Sequence, residues 1–143
     1  MFAEQISIFI ENKEGRLAEV TAILRDANVN IRALSLADTT DFGVLRFIVN
    51  DNETAEKALK KEGFTVGKTQ VLAVEVKDEP GGLNIILEAL SENEVNVEYM
   101  YAFTNPQCKN AIMIFRFDDH DKAFKILTQK NIKVFSREEI CNL

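Results

Sequence analysis

The feature that most constrains this chain is that it is written twice. Asn12-Lys13-Glu14-Gly15-Arg16-Leu17 is answered by Asp78-Glu79-Pro80-Gly81-Gly82-Leu83, 66 residues later. At the same offset Ile6, Ile8 and Ile10 match Leu72, Val74 and Val76, and Val29-Asn30-Ile31 matches Val95-Asn96-Val97. Leu45-Arg46-Phe47 answers Phe115-Arg116-Phe117 at an offset of 70, and Ala55, Leu59 and Val66 answer Ala123, Leu127 and Val134 at 68. A diverged internal duplication is the most economical account. Two copies are too few for a solenoid, so the expected organisation is a tandem pair of small domains, residues 1–68 and 69–143.

Each half reads as βαββαβ. Residues 4–10 alternate apolar and polar, the period of a half-buried strand. Leu17, Val20, Ile23, Leu24 and Ala27 then fall on one helical stripe ending near Asn28. Strands follow over 30–37 and 43–49, joined by a polar turn from Asp38 to Phe42. Asp51 or Asn52 can cap a second helix, which Gly63 ends in a left-handed cap, and Phe64 to Val66 opens a fourth strand. Gly67-Lys68-Thr69-Gln70 reads as a separator before the pattern restarts. The second copy runs from strand 71–76 to a helix ending near Asn93, then strand 96–103, with Val97, Tyr99, Tyr101 and Phe103 on one face. A longer loop covers 104–109, strand 111–117 follows, and Asp118 or Asp119 caps a helix before strand 132–135. Residues 136–143 read as a tail with no assigned structure. This pattern is α+β: two ferredoxin-like units, antiparallel sheets with both helices on one face. The helix-free face must meet solvent or a partner, and Phe9, Val44 and Ile48 fall on it by parity.

Composition narrows the function. A net charge of −6 argues against a nucleic-acid partner, which requires a basic surface. The amino terminus reads directly into a strand rather than a signal peptide, and no apolar run reaches the roughly 20 residues that span a membrane. Cys108 and Cys141 lie far apart without a CxxC pair, so two free thiols in a reducing cytoplasm are expected, with neither disulfide nor metal site. The single histidine, His120, sits between acidic residues at a helix start, and no nucleophile–base arrangement is visible. A catalytic role, a cofactor and a metal are therefore not expected.

The repeated turn is the candidate site. It joins a strand to a helix, its glycines let a ligand approach the backbone, and the helix start favours a carboxylate. Two βαββαβ units carrying D/N-x-P-G-x-L and then V/I-N-V/I resemble a tandem pair of ACT domains, the small-molecule sensing modules of amino-acid metabolism. The second half matches in full through Asp78, Pro80, Gly81, Leu83 and Val95-Asn96-Val97. The first matches through Asn12, Gly15, Leu17 and Val29-Asn30-Ile31, with Glu14 standing where the pattern has Pro. The resemblance implies a free amino acid bound where two domains meet. Asn12 and Asp78 would face its polar groups, the backbone at Gly15-Arg16-Leu17 and Gly81-Gly82-Leu83 its carboxylate, and Asn30 and Asn96 would lie opposite. Helix capping by Asn12 and Asp78, and simple strand initiation by Asn30 and Asn96, are the alternative readings. A regulatory protein acting on a metabolic enzyme is implied, with no membrane partner and a homodimer as the expected assembly. The competing function is a ligand-independent regulatory subunit for an enzyme or repressor system.

Overall fold

Alternation builds the strands and a three-to-four spacing builds the helices, in the same order in each copy. A computed structural model describes residues 2–38, 41–103 and 109–143. The chain divides into two compact units, Glu4–Thr69 and Gln70–Leu143, with Phe2 and Ala3 joining the second. The first contains β1 (Ala3–Glu11), α1 (Arg16–Asp26), β2 (Ile31–Asp38), β3 (Phe42–Val49), α2 (Asn52–Lys61) and the start of β4 (Val66–Val76). The second contains the rest of β4, α3 (Gly82–Glu92), β5 (Val97–Phe103), β6 (Ala111–Phe117), α4 (His120–Gln129), β7 (Val134–Phe135) and α5 (Arg137–Cys141).

Strand order repeats as well. β1 and β2 flank β3 in antiparallel pairing, with Ile6 opposite Phe47 and Leu36 opposite Leu45. β4 and β5 likewise flank β6, with Leu72 opposite Phe115 and Tyr101 opposite Ile114. β7 pairs with the other edge of β4, Val74 opposite Val134. Each unit is thus a ferredoxin-like βαββαβ fold.

The two cores are built from matching positions. Ile6, Ile8, Val20, Leu24, Phe47 and Leu59 form the first. Leu72, Val74, Ile86, Leu90, Phe115 and Leu127 occupy the same places in the second, so the third strand repeats at an offset of 68 and not the 70 expected from Leu45-Arg46-Phe47. Asp51 and Asp119 cap α2 and α4, their carboxylates accepting from the N–H groups of Thr54 and Lys122. Gly63 follows α2 in the left-handed region at φ 89°, and Asn131 follows α4 at φ 59°.

Four more expectations change. Gly67–Gln70 is not a separator: β4 is one strand from Val66 to Val76. The segment stays extended because Gly67 lies against Ser7 and Lys68 reaches Glu56 at 3.0 Å. Val97 does not share a face with Tyr99, because a bulge shifts the register, pairing Val97 with Phe117 and Tyr99 with Arg116. The same irregularity lies between Ile31 and Ala33, so the bulge was duplicated with the fold. Leu17, expected in the buried stripe of α1, is 37% exposed because it lies in the first turn, beyond the buried Val20 and Leu24. The tail contains α5, where Ser136 and Glu139 form a reciprocal capping box and Ile140 is buried. On the helix-free parity of the first unit, Ile48 is buried while Phe9 is 65% exposed. Thr39, Thr40 and residues 104–108, including Cys108, lie outside the described residues. Among the described residues Cys141 takes part in no disulfide.

Candidate functional site

The two turns are built by the same backbone device. Gly81 (φ 83°) and Gly15 (φ 85°) are left-handed residues at the starts of α3 and α1, with no side-chain cap in either place. Asn12 and Asp78 therefore do not cap these helices. In the second turn the Glu79 N–H donates to the Lys77 carbonyl (2.9 Å) and the Gly82 N–H to the Glu79 carbonyl (3.0 Å). In the first, the Lys13 N–H donates to Glu11 (2.9 Å) and the Arg16 N–H to Lys13 (3.4 Å). The amides of Arg16 and Gly82 are thus engaged within the turns. Helix geometry leaves the next N–H groups, of Leu17 and Leu83, without an intrahelical acceptor.

The adjacent glycines at 81 and 82 do different work. A side chain at Gly81 would meet open space, whereas a Cβ at Gly82 would lie 2.0 Å from the Lys77 carbonyl oxygen. Gly82 is buried and lets strand and helix approach. The first turn has Arg16 in that place. Its guanidinium bridges Glu11 (3.0 Å) and Glu19 (2.9 Å). Lys13 and Arg16 beside Glu11 hold that carboxyl below its ordinary range.

Asn30 and Asn96 are pinned by their backbones, leaving their exposed side chains outward. The Asn30 N–H donates to Asn50 Oδ1 (2.9 Å) and the Asn96 N–H to Asp118 Oδ1 (3.0 Å), each with a return bond from the partner's own N–H. Asn30 lines a cleft of about 480 Å³ with Asn28 and Asn50, and Asn96 one of about 440 Å³ with Ser91 and Glu94. Within one unit these clefts lie at the far end of α1 or α3 from the turn. Each helix has 11 residues, a length of roughly 16 Å. A unit does not bring its own turn and its own asparagine together.

One titratable cluster was missed by sequence reasoning. Arg116 pairs with Glu98 (3.2 Å), donates to the Gln70 carbonyl (3.1 Å) and meets His120 Nε2. The rings of Phe2 and Phe117 flank the imidazole. Burial, and then the Arg116 charge, lower the His120 pKa, outweighing Glu98, Asp121 and Asp119. The four-residue spacing of Arg116 and His120 was the available signal, obscured by the acidic neighbours in sequence. Folding is then linked to deprotonation: the unfolded chain takes up a proton near pH 6.5, and the folded one at lower pH. The stability associated with neutral His120 is complete above pH 6.5 and is lost as pH falls toward the folded pKa. Melting temperature should rise across that window in the parent protein, and His120→Gln should flatten the rise. An unchanged slope in the variant would assign the pH dependence elsewhere.

Among the described residues no group of three or more His, Cys, Asp and Glu side chains is placed to hold a metal, and no helix is long and apolar enough to cross a membrane.

Comparisons with known proteins agree with this architecture. No match was found among curated protein sequences. Protein BT0572 from Bacteroides thetaiotaomicron is 40% identical, with all of this chain and 98% of that one covered and a TM-score of 0.93. The ligand-free regulatory subunit of aspartate kinase from Thermus thermophilus is 16% identical, with 90% and 93% covered and a TM-score of 0.64. The corresponding subunit from Thermus flavus gives 14%, 90% and 92%, and 0.63. At those identities the two kinase subunits attest to the fold alone. The family model described as an ACT domain pair matches residues 1–143, and the chain belongs to that family.

Proposed function

We propose that this protein is a regulatory sensor of a free amino acid and not an enzyme. The observation that carries the reading is the match to an ACT domain pair along the whole chain. The duplicated turns, each opening a helix through a left-handed glycine, support it. In this reading residues 1–68 and 69–143 are the two sensing modules. The ligand carboxylate lies at the start of α1 or α3, near Gly15-Arg16-Leu17 or Gly81-Gly82-Leu83. Asn12 or Asp78 faces its polar groups. An asparagine amide, which donates and accepts, suits the remaining groups of a zwitterion. Because a helix separates the turn from Asn30 or Asn96 within a unit, one unit alone does not supply both the turn and the asparagine to a single ligand. Binding shifts the protein's conformation or assembly, as a homodimer in the cytoplasm, and so adjusts a metabolic enzyme.

The first unit favours a second reading for itself. Glu14 replaces the turn proline, Arg16 is held by two carboxylates, and Phe9, Leu34, Leu36 and Phe42 are exposed. Those features suit attachment to a protein partner better than ligand capture.

The test is a thermal-shift screen of the purified protein against the proteinogenic amino acids, followed by calorimetry. A ligand at about 100 times its dissociation constant should add about 2.7 kcal/mol. Asn96→Ala should then weaken binding by about 1–3 kcal/mol, if its amide is buried against the ligand. A flat screen would abandon the sensor reading, and affinity capture of a protein partner would follow.

A further inference from the structure

The two units carry equivalent clefts of opposite charge. The first, of about 440 Å³, is lined by Glu11, Glu19 and Glu62 against a single cation, Arg16. The second, of about 390 Å³, is lined by Lys77, Lys130 and Lys133 against a single anion, Glu75. The positions correspond through the duplication. Lys77 stands where the first copy has Glu11, Lys130 where it has Glu62, and Lys133 where it has Thr65. Asn110 likewise replaces Phe42, and Asn131 replaces Gly63.

Simpler accounts of the lysines fall short. A cation just after a helix complements its dipole, which would explain Lys130 beyond α4. Glu62, at the same place after α2, has the wrong sign, so the dipole does not dictate the choice. Lys133 is committed to Glu139 at 2.8 Å. Glu75 is steadied by Asn110 Nδ2 at 3.2 Å. Lys77 and Lys130 have no ion-pair partner among the described residues. In a protein of net charge −6, two exposed cations without an ion-pair partner lining one cleft make it a local attractor for anions. Ile85, Ile86 and Ile132 supply an apolar wall.

We propose that the second unit's cleft binds a small organic dianion, with Lys77 and Lys130 on its charged groups, Asn110 and Asn131 as amide donors, and its carbon portion against Ile85. The first unit's cleft rejects the same ligand. Gly82 also lines this cleft, which therefore adjoins the turn of the amino-acid reading but contains neither Asp78 nor Asn96; because its ligand is not an amino acid, a flat amino-acid screen leaves it intact.

The test is a titration of the ¹⁵N-labelled full chain at low salt, with glutarate in one arm and propyl phosphate in the other. Saturable shifts are expected at Lys77, Ile85, Asn110 and Asn131, with Glu11, Phe42 and Gly63 unmoved, and added salt should weaken them. The stronger arm identifies a carboxylate or a phosphate as the preferred group. The double variant Lys77→Gln/Lys130→Gln should lose about tenfold or more in affinity with amide dispersion unchanged. Absence of saturable shifts with both anions at millimolar concentration would overturn the proposal. So would shifts that survive the double substitution undiminished, or equal shifts in the first cleft.

Discussion

Phe115→Ala is expected to destabilise the protein by about 3–5 kcal/mol, the usual cost of deleting a fully buried aromatic ring. Phe115 has no exposed surface and lies on β6 between Leu72 on β4 and Met100 on β5. Its ring stacks on Phe117, with centroids 5.2 Å apart and planes 10° from parallel. Strands pin it from both sides and α3 and α4 cover its face, so the cavity left by alanine has little freedom to collapse. A unit of this size carries a total stability of only about 4–10 kcal/mol, so this one change removes much of it. The equivalent position in the first unit is Phe47, which faces Ile6 as Phe115 faces Leu72 and is equally buried, so its truncation should cost a similar amount. With no tryptophan in the chain, urea unfolding followed by far-UV circular dichroism is the appropriate readout. A loss below about 1 kcal/mol would contradict this packing.

Most of the fold was legible because the duplication supplied its own control. A strand suggested by Ile6, Ile8 and Ile10 became firmer when Leu72, Val74 and Val76 repeated it, and both sets are core. The caps at Asp51 and Asp119 were legible for the same reason. The bulges were not: Val97, Tyr99, Tyr101 and Phe103 alternate without a break, and parity carries no sign of an extra residue between the first two. β4 was broken too early because Gly67-Lys68-Thr69-Gln70 has the composition of a turn, although pairing keeps it extended. α5 had a readable signal in Ser136 and Glu139, three positions apart before Ile140. Within the site, the left-handed turn was foreseeable from Gly15 and Gly81. The inverted charge of the two clefts was hidden because its lining residues come from separated elements. Only aligning residues 62–65 with 130–133 brings it out.

Gly82→Ala should cost about 3 kcal/mol, at the upper end of overpacking penalties, although it adds a single methyl. The methyl carbon would sit 2.0 Å from the Lys77 carbonyl oxygen and 3.0 Å from its carbon. That carbonyl also accepts the Glu79 N–H at 2.9 Å, so relieving the clash means disturbing the turn. Gly81→Ala meets no such obstacle and should cost only about 1–2 kcal/mol, for placing alanine in the left-handed region. The first turn shows that the topology tolerates a side chain here, since Arg16 occupies the place of Gly82, with a longer turn bond of 3.4 Å against 3.0 Å. Arg16→Gly should therefore leave the first unit folded, losing only its surface ion pairs. Paired denaturation curves for Gly81→Ala and Gly82→Ala check the asymmetry, and equal losses would mean that strand and helix are farther apart than described. The asymmetry also governs how the ligand site is tested. A binding defect in Gly82→Ala reports a damaged turn, whereas one in Asp78→Ala at unchanged melting temperature reports a lost contact, because Asp78 is exposed and caps nothing.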